Sequence, residues 1–434
     1  MVVANYLIFD TICINISYFS KVSLFLQPLE LLLHNNTLMK YLYKPSDRPN
    51  SRIDVADILR GIAIAGIILI HFQEQMNFFL FPEPKNELWA SINTAVWDSI
   101  FFMLAGKMYA IFSVLFGLSF FIQHDNQAQK GIDFRPRFVW RMVLLMLLGV
   151  FDLLFYNGDI LFIYAVCGLL VIPFIRASNK VIWIVIGLML IQPVELIYLI
   201  KGIFDPTATP LYLDSGKYYG ALIASQSQGN ILDVAEAGLK LGLPANFLWA
   251  IENGRLTQNV LFFLTGIMLG RTRLFYNEGN NLKIWKKILV GSAIAFAVLL
   301  PLYKYLPGMF GSPCVSNSLN VALNMWKNFA MMFFYVSGIT LLYYNTSARN
   351  WLLKIAPYGR MSLTNYLGQS IVGALLFYNW GFGLFRHFGH TADFALAIVF
   401  VALQFMFCTW WMKHHKRGPF EQLWYSATWL GKKK

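Results

Sequence analysis

Apolar stretches of about 20 residues, the length that the hydrocarbon core of a bilayer demands, recur ten times along this chain and leave it few alternatives. They run approximately over 58–80, 100–122, 137–156, 159–175, 180–203, 250–270, 284–305, 320–344, 361–385 and 392–412. The second begins early, at Trp97-Asp98, and Gly106-Lys107 interrupts it. Only 13% of the 434 residues are charged and 57% are hydrophobic, whereas a soluble domain carries about 25% charge. A water-soluble globule is thereby excluded. The 31 glycines show no period of three, and Cys13, Cys167, Cys314 and Cys408 have no CxxC spacing, so neither a collagen-like repeat, a disulfide framework nor a cysteine metal site follows. The expected fold is an all-α integral membrane protein, a multi-pass bundle of about 10 transmembrane helices.

The placement of charge gives an orientation. Residues 40–60, 123–141, 176–180, 271–287, 349–360 and 413–434 hold 25 of the 35 Lys and Arg. Every second connection is thus basic, as an even number of spans with both termini cytoplasmic would produce. The net charge of +13 reports topology and anionic-lipid contact, and no nucleic acid is needed to explain it. Residues 1–51 read as an N-terminal extension, either an interfacial helix or a start placed ahead of a true one at Met39. Residues 52–430 read as the membrane domain, with an outer loop at 204–249 and a basic cytoplasmic tail at 413–434. A stretch from Ser215 to Leu241 in that loop has the composition of a helix lying over the bundle.

Ionisable residues inside apolar runs are expensive to bury and therefore mark candidate sites. Arg60 and His71 on the first span are eleven apart, which at about 100° per residue returns to the same face within roughly 20° and separates them by about 16 Å along the axis. Arg141 and Asp152 repeat that spacing on the third span. Lys107 stands beside Gly106 in a long apolar context, either reaching into a site or snorkelling to the interface. Asp159 in NGDI is either a helix N-cap or a ligand for an acceptor. Thr364, Asn365, Tyr366, Gln369 and Ser370 place polar groups on the ninth span, as glue between helices or as a tunnel wall. Pro193 precedes Glu195 at an expected bend, and Glu252-Asn253-Gly254-Arg255 reads as an outer polar turn.

The Arg60–His71 spacing within LRGIAI resembles the signature of the acyltransferase-3 superfamily. Over residues 52–430 the chain resembles the YeiB-like family of multi-pass membrane proteins (the domain of unknown function 418 type), within the wider transmembrane acyltransferase group. The motifs are LRGIAIAGI at 59–67, GK at 106–107 with FSVLFG at 112–117, LFYNGDILFIYAVCGL at 154–169, GRMSLTNYLGQS at 359–370 and GPFEQLW at 418–424. Members of that family often carry Asn at the place of His71 and His at the place of Asp152, so this chain departs from the pattern at both.

The resemblance implies transfer of an acyl group, acetyl foremost, from cytoplasmic acyl-CoA to a hydroxyl or amine acceptor, a glycan or small metabolite, on the outer side. His71 would be the catalytic base, oriented by Asp152 with Glu74 as the competing orienter. Arg60, Lys107, Arg141, Asp159, Asn365, Tyr366 and Gln369 would bind substrates, and Arg137 and Arg360 would add charge for the phosphates of coenzyme A. No metal is implied. The remaining partners are membrane lipids, and a homodimer is compatible with the pattern. The rival readings are a proton-coupled transporter or channel using the same polar residues, and a non-catalytic membrane scaffold.

Overall fold

A computed structural model of the chain describes Arg48, residues 50–74, Met76 and residues 78–430. The described part is a helical bundle. Its first half comprises α1 (Asp54–Glu74), α2 (Glu87–Met103), α3 (Met108–Ala128), α4 (Arg135–Asp152), α5 (Leu161–Val171), α6 (Asn179–Leu190) and α7 (Pro193–Phe204). A connecting layer follows, α8 (Ser215–Gln228), α9 (Ile231–Ala237) and α10 (Leu243–Glu252). The second half comprises α11 (Arg255–Arg271), α12 (Asn281–Tyr305), α13 (Pro313–Asn345), α14 (Ala356–Arg360), α15 (Ser362–Phe377), α16 (His390–His414) and α17 (Pro419–Thr428).

The expectation of about ten transmembrane helices is corrected. Among the described residues, four helices are long and apolar enough to cross a membrane: Asp54–Glu74, Glu87–Ala128, Asn281–Met309 and His390–His414. A fifth results if α6 and α7, bent by 40° at their break, count as one span. The other expected spans fall on helices of a different kind. The helix of the 159–175 run, Leu161–Arg176 with its 3-10 extension, is too short to cross, and α15 ends at Phe377, well short of the expected 385. α4 carries Arg135, Arg137, Arg141 and Asp152 within 18 residues. α13 has 33 residues but is diluted by Asn317, Asn320, Asn324, Lys327 and Asn328. Nearly every residue of α11 from Gln258 to Gly270 is buried in protein, and a helix apolar all round reads alike whether protein or lipid surrounds it. The N-terminal extension, apart from its last few residues, lies outside the described residues, as does the N-terminus expected in the cytoplasm.

Two crossings are close enough to need glycine. A Cβ on Gly266 of α11 would stand 1.9 Å from the Val114 carbonyl oxygen of α3, and one on Gly117 of α3 would stand 2.1 Å from the Phe263 carbonyl oxygen of α11. Likewise Gly359 of α14 packs on the α1 backbone, where a Cβ would meet the Asp57 oxygen at 1.9 Å. Small residues at helix crossings let backbones approach in membrane bundles. α3 and α11 are thereby locked side by side, and α14 is held against the start of α1.

The basic segments meet one another. Asp133 pairs with Arg135 and Arg176 at 2.9 and 3.4 Å. Arg271 donates to the Ala177 carbonyl and to Asn179 at 2.8 Å. Glu278 pairs with Arg273 at 2.9 Å and Arg48 at 3.2 Å, and the Arg273 hydrogen bonds hold its carboxyl below the ordinary glutamate range. These contacts define one strongly basic end of the bundle.

Two of the motifs far apart in sequence interlock at that end. The Glu421 carboxylate accepts from Leu363 N at 2.7 Å, Thr364 N at 3.0 Å and the Thr364 hydroxyl at 2.5 Å, satisfying free N–H groups in the first turn of α15. Glu421→Ala is expected to cost about 1–2 kcal/mol, the worth of a lost cap, read as a lower Tm of the purified protein in detergent. An unchanged Tm would mean that the cap carries no weight.

Candidate active site

Two cavities follow one another along α1. The first, of about 230 Å³, lies toward the basic end and is lined by Arg60, Arg141, Arg360, Tyr366, Glu421 and Trp424, among others. The second, of about 450 Å³, is lined by His71, Glu74, Lys107, Asp159, Arg255 and Lys327, among others. Ile67 and Ile160 border both, so the cavities adjoin. The eleven residues from Arg60 to His71 span about 16 Å of helix, and the chain thus places three guanidinium groups at one end of this path and an imidazole toward the other.

At the basic cavity, Asp57 pairs with Arg60 at 3.0 Å, Arg52 at 2.7 Å and Arg360 at 3.5 Å. Arg60 also donates to Ser119 at 3.0 Å. Arg141 lies 4.0 Å over the Trp424 ring and reaches Thr428 at 3.5 Å, while its buried Nε has no partner. Arg60, Arg141 and Arg360 on the cavity wall outnumber the carboxylates beside them, Asp57 and Glu421. Arg137 turns away from it, donating to the Thr428 carbonyl at 2.6 Å and lying 5.2 Å over Trp429.

In the other cavity, His71 is held on two sides. Its ring stands 4.8 Å from that of Tyr156 and 6.0 Å from that of Tyr366. Its Nδ1 lies 2.9 Å from the Gln369 amide nitrogen. An amide can present either end to an imidazole. When Nε2–H donates, Nδ1 carries the lone pair; when Oε1 is turned to the ring, Nδ1–H donates and the lone pair moves to Nε2. The second arrangement leaves Nε2 as an available base, with the tautomer set by its neighbour.

Asp152, expected to orient His71, makes no hydrogen bond to it. Its buried carboxylate lies near Asp159 and Ser370, and beside Tyr156, whose ring faces His71. Asp159 caps α5: its two oxygens accept from Leu161 N and Phe162 N, each at 2.9 Å. A Cβ at Gly149 of α4 would fall 2.6 Å from Asp159 Oδ2, so that glycine makes room for the cap. Asp159 also lines the second cavity, which makes the two sequence-level readings of it compatible.

The remaining expected residues divide. Lys107 is 3% exposed, donates to the Phe102 carbonyl at 2.7 Å and lines the second cavity. The Tyr366 hydroxyl accepts from Ile160 N at 3.1 Å and lines the basic cavity. Asn365 lies away from both cavities, donating to the Tyr358 carbonyl at 3.1 Å and accepting from Cys408 at 3.2 Å, as glue between helices does. Arg255, expected as part of an outer polar turn, and Lys327, within the eighth apolar run, are in the cavity wall. The signal that singled out Lys107, a cation beside or within an apolar run, applies to both.

A polar string runs beside the junction of the cavities. Tyr164, which lines the basic one, bonds Ser113 at 2.6 Å, and Ser113 bonds Asn259, which lines the other, at 2.8 Å. The α8–α10 layer supplies Tyr219, Asn246 and Trp249 to the second cavity, with Tyr219 donating to Asn246 at 2.7 Å.

Comparison with known proteins covers both halves of the bundle. Residues 52–209 match the family described as "Heparan-alpha-glucosaminide N-acetyltransferase, catalytic". Residues 269–431 match "Protein of unknown function (DUF418)". The chain is 29% identical over 413 residues to uncharacterized protein YxaH of Bacillus subtilis (strain 168), covering 88% of this chain and 95% of the relative. It is 27% identical over 404 residues to uncharacterized protein YeiB of Escherichia coli (strain K12), covering 86% and 95%.

Proposed function

The chain belongs to the YeiB-like (DUF418) family of multi-pass membrane proteins and is linked through residues 52–209 to the transmembrane acyltransferases; from that premise we propose that it moves an acyl group, acetyl foremost, from acyl-CoA to a hydroxyl or amine acceptor. The observation that carries the reading is the pair of adjoining cavities, cationic at one end and holding His71 toward the other. The donor's phosphates suit Arg60, Arg141 and Arg360 by charge-assisted contacts, and the unpartnered Nε of Arg141 has a donor to spare. The positive-inside rule assigns that end to the cytoplasm, where acyl-CoA is found.

The acceptor occupies the second cavity. His71 takes the proton from its O–H or N–H as the acceptor atom attacks the thioester carbonyl. The new ester or amide bond forms, the C–S bond breaks, and the proton passes from His71 to the departing thiolate. Gln369 fixes the ring so that one nitrogen faces the reaction, and Tyr156 and Tyr366 hold its plane. Asp152 acts at one remove, as a polar neighbour of Tyr156.

Saturable binding of acetyl-CoA to the purified protein in nanodiscs is the first test. Arg141→Leu is expected to weaken it by about 10-fold or more, the worth of one charge-assisted hydrogen bond, while His71→Ala leaves it intact. Absence of acetyl-CoA binding by the wild-type protein would overturn the proposal.

A further inference from the structure

The cations of the second cavity are held differently from most of those at the basic end that the ion pairs fix. At the basic end Arg60, Arg360, Arg273, Arg135 and Arg176 each have a carboxylate within ion-pair distance. Among the described residues, no carboxylate lies within that distance of Lys107, Arg255 or Lys327. Carbonyls and aromatic faces hold them instead. Lys107 donates to the Phe101 and Phe102 carbonyls. Arg255 lies 4.5 Å over Tyr109 and 5.4 Å over Trp249, with a 3.2 Å bond to Gln258. Lys327 stands 3.7 Å over the Tyr303 ring. Such partners hold a cation without forming an ion pair, so three cationic side chains share the cavity with two carboxyl groups. The acidic groups that share it are Glu74 and Asp159, and Asp159 is committed to the α5 cap.

The other lining groups describe the rest of a ligand. Asn259 Nδ2 and Asn328 Oδ1 are buried without partners, one donor and one acceptor on a wall of this cavity. Tyr219, Trp249 and Tyr303 add flat apolar faces. We infer that this cavity binds an anionic sugar, a ring with hydroxyl or amino groups that carries a phosphate or carboxylate, as the acyl acceptor. The oxyanion meets Lys107, Arg255 and Lys327, the ring packs on the aromatic faces, and the free hydroxyls meet Asn259 and Asn328 and reach His71. The inference rests on the acyl-transfer reading for the word acceptor, but the anion site stands on the cations themselves.

The test measures binding without acyl-CoA, in neutral-lipid nanodiscs, using glucose 6-phosphate, glucuronate and glucose as probes. Both anionic probes are expected to bind at least about 10-fold more tightly than glucose, as one or more charge-assisted hydrogen bonds would give. Lys327→Met and Arg255→Met are expected to erase that preference, Lys327→Arg to retain it, and acetyl-CoA binding at the other cavity to report that each variant is folded. Equal binding of glucose and glucose 6-phosphate, or an undiminished preference in both methionine variants, would overturn the inference. Adding phosphatidylglycerol separates the sources of the oxyanion: displacement of glucose 6-phosphate assigns it to a lipid headgroup and refutes the soluble sugar, and no displacement supports the sugar. Acyl transfer to neutral sugars alone would sink the inference and uphold the enzyme. Charge-selective binding in a protein that never turns over acetyl-CoA would do the reverse.

Discussion

Replacing His71 by alanine is expected to lower acyl transfer by about 10²–10⁴-fold, the range that a positioned general base contributes. Acetyl-CoA binding should persist, because Arg60 lies about 16 Å from His71 along α1 and Arg141 and Arg360 line the other cavity. Gln369, 2.9 Å from the ring, should show itself as a positioning residue. Gln369→Leu removes the hydrogen bond that selects the tautomer, so kcat should fall by about 10-fold or more with KM little changed, and Gln369→Glu, which can still accept from Nδ1–H, should recover part of the loss. A leucine variant that alters only protein yield, or a fully active His71→Ala protein, would refute the assignment.

Gly266→Ala is expected to be as damaging to the fold as His71→Ala is to the chemistry. The added methyl would stand 1.9 Å from the Val114 carbonyl oxygen, and a backbone neighbour cannot rotate away as a side chain can. α3 and α11 must separate, at about 3 kcal/mol or more. The comparison variant is Gly291→Ala on α12, where a Cβ meets nothing within 4 Å, and which should match or slightly exceed the wild-type Tm because alanine favours the helix. Thermal melts of both in detergent decide the matter, and equal melts would mean that the crossing is looser than described. The same change should also disturb the second cavity, since α3 supplies Tyr109 and α11 supplies Arg255 and Asn259.

What could be read ahead of the structure depended on whether a residue's role is local. Asp159 as a cap needs only its own helix, and the pattern NGDI announces it. The shared face of Arg60 and His71 is likewise a property of one helix, and both line the path. The neighbour of His71 depends on how α1 and α15 are rotated against each other, and spacing along one helix is silent on that. The hydrogen-bond neighbour of the ring is Gln369, which the sequence marks only as one polar residue of the ninth span. The count of spans failed for a related reason. Apolarity records removal from water, and α11 meets that condition by burial among its neighbours in the same way as a lipid-facing helix does. What faces Arg255 and Lys327 is likewise set by the packing of several helices, to which a single run of sequence is blind.

The hydrogen bond at His71 joins residues separated by 298 positions, and that separation bears on how the protein comes into being. His71 belongs to the part that matches the acetyltransferase family, Gln369 to the part that matches the DUF418 family. A ribosome delivers the imidazole early and its amide late, and the helix bearing the amide is capped by Glu421, made later still. Throughout most of its synthesis the chain therefore holds an imidazole that still lacks its hydrogen-bond partner. The same dependence binds the two parts in heredity: exchanging either with a relative's would exchange one side of a single hydrogen bond.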